Sequence, residues 1–248
     1  MTVAPSAGGG TVGVSSGVNA DKGKGGRRRI VLRIGAVVAA LLLLVIGSCW
    51  WQAELSPAWF IAPSRAAAQG LGETLENQLA TNLSRPAKAG SEWTHVITPQ
   101  QINAWLSERL PAWVENRSAK WPEQMSLPAA RLEEGSITLA VSTKLGARQR
   151  VVSVRVVPES DASGNVVLRI SSAGVGRLML PAWCAVPIVR AALGAGAREG
   201  ALFRQFEKAA AEGVPLTPLR VDDARGVRVA GVEVRAEGVT VHLKASAK

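Results

Sequence analysis

A histidine placed to take a proton from a serine or cysteine would be the first mark of a hydrolase, and this chain has only two, His95 and His242. His95 sits in the short apolar run EWTHVI, and His242 alternates between Val241 and Leu243. Both are strand patterns, in which a histidine serves structure more often than catalysis. Cys184 follows Pro181-Ala182-Trp183, apolar surroundings that suit an inert thiol. Glu133-Glu134 and Asp222-Asp223 are adjacent pairs. Neighbours in a strand point to opposite faces, so neither pair makes an acid–base dyad, and each reads as a solvated turn. Metal ligands are not clustered at any useful spacing. Gly194, Gly196 and Gly200 superficially resemble a dinucleotide loop, but no strand leads into them, and a bend or close helix packing explains them better. The expectation is a protein that is not an enzyme and has no catalytic, cofactor or metal site.

What the chain has in surplus is apolar and aromatic. Trp93, Trp105, Trp113, Trp121 and Trp183 are many for one small domain. Burial in a core is the plain explanation. The alternative is a concave apolar site for an acyl chain, with Trp105, Leu106, Leu178, Leu180 and Trp183 as its lining.

The element that positions everything else is the run at 34–51, IGAVVAALLLLVIGSCWW, eighteen residues without a charge. As a helix it is roughly 27 Å long, close to the hydrocarbon core of a bilayer. Trp50 and Trp51 stand where an interfacial aromatic belt belongs. Six basic residues and one acid precede Ile34, a net charge of +5. The positive-inside rule therefore puts the N-terminus in the cytoplasm and the C-terminal part outside, an inner-membrane single-pass topology. Three readings of the run stay open. It is an uncleaved anchor; or Ile46-Gly47-Ser48-Cys49 is a lipobox with Cys49 acylated; or Arg28-Arg29 opens a twin-arginine export signal. The residues after Arg33 carry 23 basic and 18 acidic groups, again +5 out of the chain's +10. Their arginines are scattered, which argues against a nucleic-acid surface.

Three regions follow: a Gly/Ser-rich disordered cytoplasmic tail at 1–29, a transmembrane helix at 30–52, and an extracytoplasmic domain at 53–248. Rich Ala, Arg and Val with little Lys points to a bacterial genome of high GC content. Pro57 and Pro63 break an exit segment. Leu71, Leu75, Leu79 and Leu83 then share a helical face, with Ser64 as a cap and Pro86 as a stop. Thr98-Pro99-Gln100-Gln101 reads as a capping box opening a helix that runs up to Pro111. The middle is a β-meander with one covered face: Ile137, Leu139 and Val141 in its first strand, Val152, Val154 and Val156 in its second, then a DASGN hairpin turn and a returning strand from Val166. A Gly-interrupted helical block from about Ala185 to Glu212 precedes a C-terminal β-segment of several short strands.

The C-terminal pieces Leu219-Arg220-Val221, Val227-Arg228-Val229 and Gly231-Val232-Glu233-Val234, with Leu178-Met179-Leu180-Pro181 leading into a helix, resemble the LmeA-like lipid-binding family of the tubular lipid-binding group. Ile97 to Leu106 is similar to the first helix of YpmS-type membrane-anchored proteins. The resemblance covers about half of the outer domain and implies a lipid ligand, without assigning ligand residues to particular positions. The expected architecture is α+β: a curved antiparallel sheet packed on two or three helices behind one N-terminal span. The expected function is a membrane-anchored lipid- or envelope-binding module, with a structural or assembly partner of an envelope protein complex as the alternative.

Overall fold

The computed structural model describes residues 24–61, 70–84, 88, 90–116, 121, 123–145, 147–184, 186–187, 201–220 and 225–247. Ser64, Pro86 and the three glycines of the 194–200 stretch lie outside them. The chain divides into a first unit, Met1–Ser48, and a second, Cys49–Lys248.

Helix α1 (Lys24–Glu54) is continuous. It contains the stretch Ile34–Glu54, which is long and apolar enough to cross a membrane. Residues 24–29, expected in the disordered tail, are helical. Arginine is a good helix former, and propagating a helix costs far less than nucleating one. The helix stops at Glu54 because Pro57 disfavours a helical Ser56.

Two antiparallel sheets build the second unit, where the sequence led us to expect one. The smaller joins β1 (Glu92–Ile97), β10 (Gly238–Ala247), β9 (Arg225–Arg235) and β8 (Leu219–Arg220) in that order. The larger runs β2 (Ala129–Glu133), β3 (Ser136–Leu145), β4 (Arg148–Ser160), β5 (Val166–Val175), β6 (Leu178–Pro181), with β7 (Val214–Pro215) also on β5. The expected short C-terminal strands are in fact one long β9, paired to β10 through a register shift at His242/Leu243. The DASGN turn forms as read: Asp161 Oδ1 accepts from the backbone N–H of Ser163 and Asn165, each at 2.8 Å.

The second unit also holds the helices α2 (Leu71–Ser84), α3 (Pro99–Glu108) and α4 (Leu110–Glu115). The capping box is realised: Gln101 N donates to Thr98 Oγ1, and Thr98 N donates to Gln101 Oε1 at 2.9 Å. Pro111, expected to end the helical region, instead sits in the first turn of α4, where its missing N–H costs nothing. α2 crosses α3 at Gly72, whose N–H donates to Glu108 Oε2. There an added Cβ would fall 2.7 Å from the same carboxylate oxygen. Helix α5 (Ala201–Glu212) packs on β5.

The two sheets meet through β9, which packs against β2, β3, β4 and β5. The centre of that contact is Leu132, Val234 and Val239, with Ile102, Ile137, Val232 and Val241 around it. Burying such side chains contributes roughly 1.5–3 kcal/mol each before entropy is charged.

Candidate functional site

The register of the larger sheet sorts its side chains into two contrasting faces. Ile137 pairs with Val156, Leu139 with Val154, Val141 with Val152, Val152 with Val175, and Val175 with Leu178. These residues, with Leu180, make one apolar face. The other face holds Arg131, Thr138 and Arg155 in one cross-strand row, and Ala140, Ser153, Gly174 and Met179 in the next.

Hydrophobic burial predicts that the apolar face should be the covered one. The structure buries parts of both faces: on the apolar side Leu132, Thr143, Ile170 and Ala173 are buried. On the small-residue face Ala140 is 2% exposed, Ser153 2% and Thr138 3%, whereas Leu139 on the apolar face is 36% exposed. Val141, Val152, Val154, Val175, Leu178 and Leu180 are half-buried. The exit from α1, with a buried Pro57 followed by Ala58 and Trp59, borders the small-residue face. Met125 and Ser126 pair edge-on with β3, where Ser126 Oγ accepts from Ser142 N at 2.8 Å.

The exit from α1 is fastened to the sheet by arginines. Arg150 Nη1 donates to Ala53 O at 2.9 Å, and Arg150 Nη2 reaches Glu54 at 2.8 Å. Arg148 meets the same carboxylate at 2.6 Å. The N–H of Arg177 donates to Gln52 O at 2.9 Å, and its Nε donates to Ser56 O at 3.2 Å. Carbonyls at the C-terminal end of a helix lack intrahelical donors, so these bonds supply what the last turn needs. Arg150, Val152 and Val154 alternate on one strand face. The half-open apolar strip therefore begins beside the point where α1 ends.

The five residues anticipated as a groove lining do not come together. Leu178 and Leu180 lie on the apolar face. Trp105 and Leu106 are on α3, which packs on α2 and on β2. β2 and β6 are four strand spacings apart, about 19 Å. Trp183 is 80% exposed and encloses nothing.

Trp105 has a different task. Its Nε1 donates to Glu76 Oε1 at 3.0 Å, while Arg109 binds the other oxygen of Glu76 at 2.6 Å. The Arg109 hydrogen bond, helped by that of Trp105, holds the Glu76 carboxyl below its ordinary value against an opposing desolvation effect. A depressed carboxyl stabilises the fold above its unfolded-state pKa, and the gain is lost as pH falls through the folded one. The pair is well exposed, which caps the gain at about 1 kcal/mol. Urea denaturation should therefore show Glu76→Gln destabilised by up to about 1 kcal/mol near pH 7, with the deficit shrinking as the pH is lowered below the ordinary carboxylate range. A deficit that persists undiminished in acid would assign the effect to packing.

Each histidine contacts a neighbouring polar side chain. His95 Nδ1 lies 3.1 Å from Asn82 Nδ2, linking β1 to α2, and His242 Nε2 lies 3.4 Å from Glu233. Both cysteines are free thiols, Cys49 on α1 and Cys184 half-buried just after β6. Among the described residues no group of three His, Cys, Asp or Glu is placed to hold a metal ion.

Sequence reasoning missed a charged pocket on the small-residue face. It has a volume of about 320 Å³, and Arg131, Arg155, Arg177, Glu133, Trp59 and Met179 are among its walls. The sequence alone places Glu133 in a solvated turn. Instead it is held between Arg155 at 2.7 Å and Arg131 at 3.1 Å. The arginines look scattered along the chain, because only the cross-strand register Arg131–Thr138–Arg155 brings them together.

No protein-family model matches the chain, and no curated protein matches it.

Proposed function

We propose that this chain is a single-pass membrane-anchored protein whose domain, Cys49–Lys248, takes the apolar part of a membrane lipid on the apolar face of its larger sheet. The charge ahead of Ile34 orients the N-terminus to the cytoplasm and the domain outside the inner membrane. The role is binding, without chemistry on the ligand. One observation carries the reading: Leu139, exposed, and Val141, Val152, Val154, Leu178 and Leu180, half-buried, share one face of the larger sheet. An acyl chain gains from leaving water for an apolar surface. The strip also starts next to Gln52–Glu54, the first polar residues after Trp50 and Trp51. A lipid leaving the outer leaflet would meet it without crossing the polar surface of the domain.

The test uses the full chain in vesicles containing a phospholipid with a photoactivatable acyl chain. Cross-links are expected in β3, β4 and β6 as well as in α1. Leu139→Glu combined with Leu178→Glu should lower the sheet cross-links about tenfold, because each places a charge in the path of the chain. Cross-links confined to α1, unaffected by the double variant, would refute the reading. Capture of a protein by the same strip would instead favour docking of an envelope partner.

A further inference from the structure

The opposite, small-residue face carries a second site, independent of the apolar strip. Three guanidinium groups, Arg131, Arg155 and Arg177, border one pocket with a single carboxylate, Glu133, giving it a net charge of +2. Glu133 bridges Arg131 and Arg155 and so fixes the spacing of their planar groups. Arg155 Nε is further directed by Thr138 Oγ1 at 3.5 Å, and Arg177 Nε by Ser56 O at 3.2 Å. An arginine has five N–H donors, so each guanidinium keeps donors outside these contacts. The floor is Thr138 and Ser153, both almost fully buried, and Met179.

We propose that this pocket binds a phosphate group. A carboxylate already occupies the seat between two of the arginines. What remains is room of about 320 Å³, excess positive charge, and fork-shaped donors on more than one side. That arrangement suits a tetrahedral anion with several acceptor oxygens better than a second planar carboxylate. Trp59 and Pro57 form an apolar part of the rim, so the group bearing the phosphate is less polar than the phosphate itself. Trp59 stands eight residues beyond Trp51, three of them helical, so the chain separates the two by no more than roughly 20 Å. A phospholipid headgroup at the bilayer surface and a soluble phosphate ester are both within reach.

The experiment uses the full chain in nanodiscs and has two arms. In discs of zwitterionic phosphatidylcholine, inorganic phosphate is titrated and its binding followed by phosphorus NMR line broadening. In discs that also contain phosphatidylglycerol, the lipid retained on extraction is counted by mass spectrometry. Saturable one-to-one binding is expected in at least one arm. Arg155→Gln and Arg131→Gln should each weaken it about tenfold, the loss of one charge-assisted contact. Arg169→Gln, which removes the same charge from the distant Arg169–Glu159 pair, should leave it unchanged. Arg131 lies half-exposed at the sheet edge, so its variant decides the matter if Arg155→Gln unsettles the fold. Saturation by inorganic phosphate identifies a soluble source, and retention of phosphatidylglycerol alone identifies a headgroup. Lack of saturable binding in both arms, or equal weakening by Arg169→Gln, would overturn the proposal. Neither result bears on the acyl cross-links to the other face.

Discussion

Replacing Gly176 by valine is expected to cost about 3–5 kcal/mol and to lower the melting temperature of the full chain by roughly 10 °C. Gly176 turns the chain between β5 and β6 with φ of 61°. A β-branched residue is strained in that region by about 1–2 kcal/mol. The larger share comes from collision. A Cβ at this position would stand 2.5 Å from Ala53 O, and 2.7 Å from both Gln52 O and Leu55 O. All three are backbone atoms and cannot swing aside. The bond from Arg177 N to Gln52 O would be lost with them. Gly164 supplies the control. Its φ is 74°, and a Cβ there would meet nothing within 4 Å. Gly164→Val should therefore show the conformational cost alone. Equal losses at the two sites, measured by differential scanning calorimetry, would mean that the exit from α1 is not clamped on the turn.

The second large effect is at Arg150. Its side chain is only 13% exposed and serves both Ala53 O and Glu54. Arg150→Met removes both contacts while keeping most of the stem's apolar packing. It leaves the Ala53 carbonyl without its side-chain donor, which costs about 1–3 kcal/mol, while Glu54 Oε1 keeps Arg148. Arg148 binds the same carboxylate at 2.6 Å but is 66% exposed. Arg148→Met should cost under about 1 kcal/mol. Chemical denaturation of the two variants distinguishes burial from simple ion pairing. Similar losses would mean that Glu54 gains only diffuse attraction.

Much of the local structure was legible because it depends on neighbours in sequence. The eighteen uncharged residues, the capping box at Thr98 and the DASGN turn each involve groups within a few positions of one another. The meander pairing was legible for the same reason, since short turns set its register. The second sheet was not. EWTHVI is recognisable as a strand, but its partner β10 lies about 150 residues away, and nothing in six residues specifies it. The groove was misassigned through the same difficulty. Trp105 and Leu178 are both apolar, and only the strand order puts them at opposite edges of the sheet. Periodicity correctly identified Leu139, Val141, Val152 and Val154 as one face. It could not foresee that chain following α1 would border the other side.

The side chain of Asn103 on α3 bears on self-association. Its amide nitrogen donates to Ala130 O at 2.9 Å, and its amide oxygen accepts from Ala130 N at 2.7 Å. This is the bonding pattern that a neighbouring strand would offer to β2, supplied by one residue. An open edge is a template on which a second molecule can extend the sheet. At Ala130 the template is already filled, from within the same chain. A second molecule adding a strand there would first have to displace Asn103.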